Sequence, residues 1–528
     1  MAETPVRPHL LLLTTDQHRA DCLGCYGNPV VRTPHLDRLA REGVRFTRCY
    51  VQNPLCMPSR ATILTGLYVR GHRVWCNGVP LPPDVPTVAQ TLRTAGYWTV
   101  AIGKMHFTPY GAPAQPGWLD TFDTWNEETA LAAWDGDYYG FQEVWLTLGH
   151  NRPGGHYGEW LRRAHPEALT LFGREAALAA PTGAPGSWKS ALPVECHTST
   201  WIGEMTVQFL RRHVQERPAQ PFCAWVSFPD PHHPWCPPRP YCDLYDPATV
   251  VMPVRRDGYA PGAAAAELAD KPPFFRDYYV GQMRHEGAGV PNPSAVTEAQ
   301  TREIIAHTYG MITLVDEVVG RILAELERLD LLEQTVLCFF SDHGELLGDH
   351  GLWCKGPFHY EGLLRVPLIW RLPASLRRQR PVVRGRRLTG AYQENAGVVR
   401  EELVGLVDLA PTLCDLAGVT PARPFQGLSL VPLLTGQVVP WRQAILTEFH
   451  SGYRPDLTLK TIRTDRWKLT YYAGKPYGEL YDLEHDPHEF TNLFADPAYR
   501  AIREDLIRLA LDLVVQTEDR WPARLAHA

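Results

Sequence analysis

The chain has 528 residues, and a prior of about 150 residues per domain allows two to four domains. With 52 Lys plus Arg against 58 Asp plus Glu, its net charge is −6, which excludes a protein held on nucleic acid by phosphate contacts. Apolar residues at 45% and charged residues at 21% exclude wholesale disorder, and 47 Pro with 42 Gly point to many loops between regular elements.

Residues 1–8 lack an apolar signal region, and no stretch is long enough to cross a bilayer, so a cytoplasmic protein without membrane contact is expected. The 12 cysteines lack the spacing of a disulfide scaffold, and Cys22 with Cys25 reads as an incidental CxxC. The continuous apolar run 9–14 predicts a strand buried on both faces. Thr33 as cap, Pro34 in the first turn and Gly43 beyond the end predict a short helix. A helix over 87–95, stopped by Gly96, and a strand over 98–102 follow. Over 108–196 the pattern dissolves into a Trp-, Gly- and Pro-rich stretch, and it does so again over 229–295, after a strand at 222–228. Loops of that length are binding elements or lids.

An amphipathic helix over 297–329 then leads to a strand at 335–340, and the alternation as a whole implies a mainly parallel sheet covered by helices. Beyond Pro440 the texture becomes short strands at 444–447, Thr458–Thr464, Trp467–Tyr472 and 479–481, with a closing helix over 497–516. The expected architecture is α/β: a large domain over 1–435 with insertions at 108–196 and 229–295, and a C-terminal antiparallel α+β subdomain over 436–528.

Four buried-type strands run into polar clusters: Asp16-Gln17-His18-Arg19, Gly103-Lys104-Met105-His106, Asp230-Pro231-His232-His233-Pro234 and Ser341-Asp342-His343-Gly344-Glu345. Open α/β sheets bind ligands outside the carboxyl ends of their strands, so these clusters are expected to converge. Asp16, Asp342 and His343 are donors suited to a divalent cation. In residues 53–66, Pro58 suits a first helical turn and Gly66 a stop, which puts Cys56 at a helix N-terminus, where anionic groups are favoured. Read alone, Cys56 is a reactive or capping thiol of lowered pKa.

Cys56-Met57-Pro58-Ser59-Arg60 matches the C-x-P-S-R signature, and through it the chain resembles the sulfatase family of the alkaline phosphatase superfamily. The likeness extends through Thr15-Asp16-Gln17, Gly103-Lys104-Met105-His106, Pro231-His232-His233-Pro234, Asp342-His343-Gly344-Glu345, Lys355 and Glu479-Leu480-Tyr481-Asp482. It implies an alkaline-phosphatase-like fold and oxidation of Cys56 to formylglycine by a formylglycine-generating enzyme. It further implies hydrolysis of small-molecule sulfate esters by a metal-bound formylglycine diol, through a covalent sulfo-enzyme intermediate.

In that scheme Asp16, Asp342, His343 and modified Cys56 hold one divalent ion, with Ca²⁺ and Mn²⁺ ranked ahead of Mg²⁺ and Zn²⁺. Gln17 is a further ligand or oxyanion contact. Lys104 and Lys355 neutralise the equatorial oxygens, and Arg60 orients the diol. His232 protonates the leaving alcohol, with His233 able to exchange roles with it. His106 removes a proton from the second hydroxyl, and Asn77 contacts the substrate oxyanion.

Two positions depart from the commonest sulfatase pattern: Gln17, where consecutive acids are usual, and His343, where Asn is usual. Both resemble the phosphonate monoester and phosphodiester hydrolases of the superfamily and leave phosphorus esters as the alternative substrates. A non-catalytic metal- or anion-binding protein is the reading if Cys56 stays unmodified. Trp118, Trp125, Trp134, Trp145, Trp160 and Trp188 read equally as an aromatic wall or as core, Asp349 and His350 as loop-structuring residues, and a homo-oligomer is left open.

Overall fold

The computed structural model of the chain describes residues 7–126, 136–178, 183–256, 258–259, 263–283, 292–378, 382–383, 386–387 and 397–519. In chain order the strands of the main sheet are β1 (His9–Thr15), β2 (Val44–Tyr50), β3 (Trp98–Gly103), β4 (Glu143–Leu146), β5 (Phe222–Ser227), β6 (Thr335–Ser341), β7 (Arg365–Arg371), β8 (Val398–Arg400) and β9 (Val404–Gly405). They lie in the order β8-β2-β7-β6-β1-β5-β3-β4, with β9 also on β2. β7 runs antiparallel to β2 and β6, and the other pairings are parallel.

The unbroken apolar run of β1 has a simple cause in the pleat, which turns alternate side chains to opposite faces. Leu10 and Leu12 enter one core with Ile63, Leu64, Leu92 and Leu413. These belong to α2 (Cys56–Thr65), α3 (Val88–Thr94) and α7 (Leu409–Ala417). Leu11 and Leu13 enter the other core with Leu36, Ile202, Phe209 and Ile312, from α1 (Pro34–Glu42), α5 (Thr198–Glu216) and α6 (Glu298–Arg328). A strand covered by helices on both faces has no polar side to show.

Thr297 opens α6 with a capping box, its side chain accepting from Gln300 N–H while Gln300 bonds back. A separate antiparallel sheet follows, of β10 (Ala444–His450), β11 (Thr458–Thr464), β12 (Trp467–Tyr472) and β13 (Gly478–Asp482). The closing helix α8 (Arg500–Gln516) lays Leu506 and Ala510 on Leu446, Ile462, Leu469 and Leu480 of this sheet.

The stretch 108–196 is more regular than its composition suggests. It contains β4, parallel to β3 at the sheet edge, and the helix α4 (Gly155–Ala164). A four-residue strand is too short to show a period in sequence, and its order comes from pairing with β3. The stretch 229–295 likewise carries short helices at Ala263–Glu267 and Phe274–Tyr279.

Backbone bonds lace the carboxyl ends of the central strands together. Asp16 N–H donates to Asp230 C=O at 3.2 Å, Asp342 N–H to Thr15 C=O at 3.2 Å and Lys104 N–H to Ser227 C=O at 2.9 Å. Gly103, at φ 98°, ends β3 so close to β5 that a Cβ would stand 2.0 Å from Ser227 C=O, and only glycine fits there.

Candidate active site

Cys56 occupies the first turn of α2, and every residue of that helix is buried. The helix is fixed from both ends: Met57 N–H donates to Asn77 Oδ1 at 3.0 Å, and Gly66 closes it in the left-handed region at φ 65°. Four groups gather around Cys56 Sγ: Lys355 Nζ at 2.8 Å, His343 Nε2 at 3.2 Å, Lys104 Nζ at 3.7 Å and Asp16 Oδ1 at 3.8 Å. Burial and Asp16 push the thiol up, but Lys104, Lys355 and His343 together outweigh them and bring it down to about 7. Cys354, a few residues from the same cluster, has its thiol raised by burial and by Glu345.

Donor atoms of Asp16, Cys56, Asp342 and His343 all lie within 4.8 Å of one another. Gln17 adjoins them, its backbone N–H donating to Asp342 Oδ1 at 3.2 Å, and its Oε1 is buried without a hydrogen-bond partner. Two carboxylates, an imidazole and an unclaimed amide oxygen are a set that fits a divalent cation. Burial alone would raise Asp16, yet Lys104, His232, His150 and Arg60 hold its carboxyl well below the usual range.

Arg60 is fully buried, and its contacts reach the carboxylates beside residue 56. Its Nε donates to Asp342 Oδ2 at 2.8 Å, Nη2 to Asp16 Oδ2 at 3.4 Å, and Nη1 to Ser227 Oγ at 2.9 Å and to Lys104 C=O. One helical turn beyond Cys56, on the inner face of α2, the planar guanidinium ties together the ends of β1, β3, β5 and β6.

Lys355, surface-like in sequence, is 2% exposed. Its ammonium also meets His232 Nε2 at 2.9 Å and His343 Nε2 at 3.0 Å. His232 donates from Nδ1 to His233 C=O, which leaves Nε2 toward the site, whereas His233 Nδ1 faces Gln17 Nε2 at 3.0 Å. The structure therefore separates the two neighbours, with His232 beside Lys355 and His233 behind Gln17. Burial, His150 and Lys355 hold His232 well below the ordinary imidazole value.

His106 is stacked on Tyr110 at 3.8 Å, with Nδ1 buried and unpartnered. Its loop is anchored by Asp120, which accepts the backbone N–H groups of His106, Phe107 and Thr108 at 3.0, 2.7 and 3.2 Å. His150, absent from the sequence-based set, stacks on His232 at 3.4 Å and contacts Lys104 Nζ at 2.5 Å. It follows β4, so it obeys the same strand-then-polar rule that identified the other clusters. Only the brevity of β4 concealed it.

Asp349 and His350 lie outside the cluster: Asp349 pairs with Arg19 at 2.6 Å, and His350 with Glu267 at 2.7 Å. Trp145 and Trp160 pack on the core and Trp125 donates to Leu119 C=O at 2.8 Å, while Trp118 and Trp188 are half-buried. Trp134 falls outside the described residues.

A mostly parallel sheet with this cluster at its carboxyl edge defines a class of α/β enzymes with the alkaline-phosphatase-like fold. The family model described as Sulfatase matches residues 8–419, and the model described as N-sulphoglucosamine sulphohydrolase, C-terminal, matches residues 389–516. The chain belongs to the sulfatase family, within the alkaline phosphatase superfamily, and is a hydrolase.

It is 30% identical over 522 residues to an arylsulfatase of Clostridium perfringens, covering 96% of this chain and 94% of that one. It is 29% identical to a multifunctional alkaline phosphatase superfamily protein of Trinickia caryophylli, covering 97% of this chain and 96% of the other. The crystal structure of the phosphonate monoester hydrolase of Agrobacterium radiobacter superposes with a TM-score of 0.79 at 31% identity, covering 99% of this chain and 98% of that one.

Proposed function

We propose that the protein hydrolyses small sulfate esters, with residue 56 as the nucleophile after oxidation of its thiol to formylglycine. The observation that carries this reading is the convergence of Lys355, His343, Lys104 and Asp16 on Cys56 Sγ at 2.8 to 3.8 Å. A divalent cation held by Asp16, Asp342, His343 and Gln17 would supply a Lewis acid, and formylglycine would supply two hydroxyls on one carbon.

The chain's own groups account for the rest. Lys104 and Lys355 bind the ester's non-bridging oxygens and offset the charge that grows on them. Arg60 holds the two carboxylates in register. His232, whose Nε2 faces Lys355 and the site because Nδ1 is bonded to His233 C=O, gives its proton to the leaving alcohol. An anionic ester beside it opposes the repulsion from Lys355 and favours the protonated ring. His106, braced by Tyr110 and Asp120, takes a proton from the residue-56 hydroxyl. His150 orients His232 by stacking, and Asn77, whose Oδ1 accepts Met57 N–H at the start of α2, contacts the substrate oxyanion.

We assign catalysis to residues 1–435 and read 436–528 as a C-terminal subdomain. Among the described residues no helix is long and apolar enough to cross a membrane. Among the described residues no disulfide joins the cysteines, which supports maturation and residence in a reducing cytoplasm.

Phosphonate monoesters and phosphodiesters are the second reading, favoured by Gln17 and His343 and by the likeness to the Agrobacterium radiobacter enzyme. Sulfate ranks first because the chain carries Lys104 and His106 in the Gly-Lys-Met-His pattern. The test is peptide mass spectrometry across residue 56 in protein made with the maturation enzyme, together with Cys56→Ala. Oxidation of the thiol and a loss of about 10³-fold or more in turnover are expected. An unaltered thiol in active protein, or full turnover by C56A, would overturn the scheme.

A further inference from the structure

Gln17 has a side chain with two unlike ends, a donor NH₂ and an acceptor oxygen, so its use depends on which end is tied back. Its Nε2 bonds the Glu345 carboxylate and stands 3.0 Å from His233 Nδ1. The NH₂ end of the amide is the one set against the Glu345 carboxyl. That leaves Oε1, which is buried and has no hydrogen-bond partner, while the backbone N–H of Gln17 keeps the residue against Asp342 at 3.2 Å.

Glu345 is itself fixed. Its Oε1 accepts the backbone N–H groups of Leu347, at 2.9 Å, and of Cys354, which frees Oε2 for Gln17. Gln17 and Glu345 are each 2% exposed and His233 5%. Gln17 also sits in the left-handed region at φ 61°, a conformation that a non-glycine residue keeps only where its surroundings over-determine it. The catalytic scheme above gives Glu345 and His233 no task, yet both meet at this amide, with His233 Nδ1 also 3.4 Å from Cys354 Sγ.

We infer that Glu345, assisted by His233, is a positioning residue for the cation site: it fixes the Gln17 amide so that the carbonyl oxygen is presented to the ion. The inference rests on the cation site proposed above and goes beyond it in assigning what orients one ligand. In Glu345→Gln, Oε1 still receives the Leu347 and Cys354 N–H groups, but the new NH₂ can claim Gln17 Oε1 and turn the amide away from the ion. Exchanging the pair, Gln17→Glu with Glu345→Gln, keeps the hydrogen bond with donor and acceptor reversed and leaves an oxygen toward the ion. Gln17→Glu alone opposes two carboxylates across that bond.

The test is calorimetric titration of the metal-free full-length protein with Mn²⁺. Glu345→Gln is expected to bind about 10–100-fold more weakly than wild type, the usual cost of removing a ligand's hydrogen-bonding partner. The double exchange is expected to restore wild-type affinity or better, and Gln17→Glu alone to bind more weakly than the double exchange. Wild-type affinity in Glu345→Gln, within twofold, would overturn the inference. Should Glu345→Gln fail to fold, equal affinities for Gln17→Glu and the double exchange would overturn it as well. A wild-type protein that takes up no Mn²⁺ would strike at the cation site itself, a result distinct from binding that ignores Glu345.

Discussion

Lys468, in the small sheet, and Lys355, at the carboxyl edge of the large one, are cations in equally dry surroundings, at 0% and 2% exposure. Lys468 pairs with Glu489 and stands 3.6 Å from Glu361. Glu361 in turn has Arg463 at 3.5 Å and accepts from Tyr50 OH at 2.8 Å, and its N–H donates to Glu489 Oε2 at 2.8 Å. Charge there is consumed by charge. Lys355 instead faces Cys56, His232 and His343, and among the described residues no ion pair joins it to a carboxylate. Against burial, Lys355 is held charged by the Cys56 sulfur and by the field of Asp16 and Asp342, with no carboxylate in contact, and its donors are open to an anion that arrives from outside. Burial of charge alone therefore does not mark a site, whereas a buried cation without a contacting carboxylate does.

Lys468→Met and Lys355→Met should pull these roles apart. Lys468→Met leaves two buried carboxylates without their shared partner and is expected to cost about 3–5 kcal/mol of stability, read by denaturant unfolding. The turnover of the fraction that remains folded is expected to stay at the wild-type level. Lys355→Met removes no contacting carboxylate pair, so its melting temperature is expected to fall less than that of Lys468→Met. Its kcat/KM for an ester substrate is expected to fall by about 10²–10³-fold, as when one donor to a developing oxyanion is lost. Loss of stability in Lys355→Met with turnover intact would erase the contrast.

The smallest effect concerns pH. Burial pushes the Glu489 carboxyl up, Lys468 opposes it and Glu361 adds to it, with the result near 7. The folded chain then holds a proton that the unfolded chain releases near pH 4.5, so the contribution of this group to stability falls as pH rises from 4.5 to 7. Glu489→Gln should flatten the stability profile across that window. A profile with the wild-type slope would contradict the assignment.

The parts of the molecule that were legible in its sequence owe this to strong local signals. The runs of β1, β5 and β6 are apolar throughout because helices cover both faces, and the Pro58 and Gly66 punctuation delimits α2. Each of these strands ends in the polar residues that line the cluster. His150 escaped because β4 has only four residues and is held by its neighbour β3. The burial of Lys355 escaped because Trp353-Cys354-Lys355-Gly356 has the texture of an exposed turn, and only the folded chain carries it to Cys56, 299 positions away. The contacts of Arg60 with distant strand ends were hidden for the same reason. A guanidinium can orient a neighbour or clamp distant loops, and nothing local to residue 60 chooses between them.

The most direct measurement is a side-by-side determination of kcat/KM for an aryl sulfate, a phosphonate monoester and a phosphodiester, on protein whose residue 56 has been verified by mass. The Lys104, His106 and Lys355 arrangement predicts that the aryl sulfate is the best of the three substrates. A sulfatase rate negligible beside that on the phosphorus esters would contradict it and give the site to the Gln17 and His343 pattern instead.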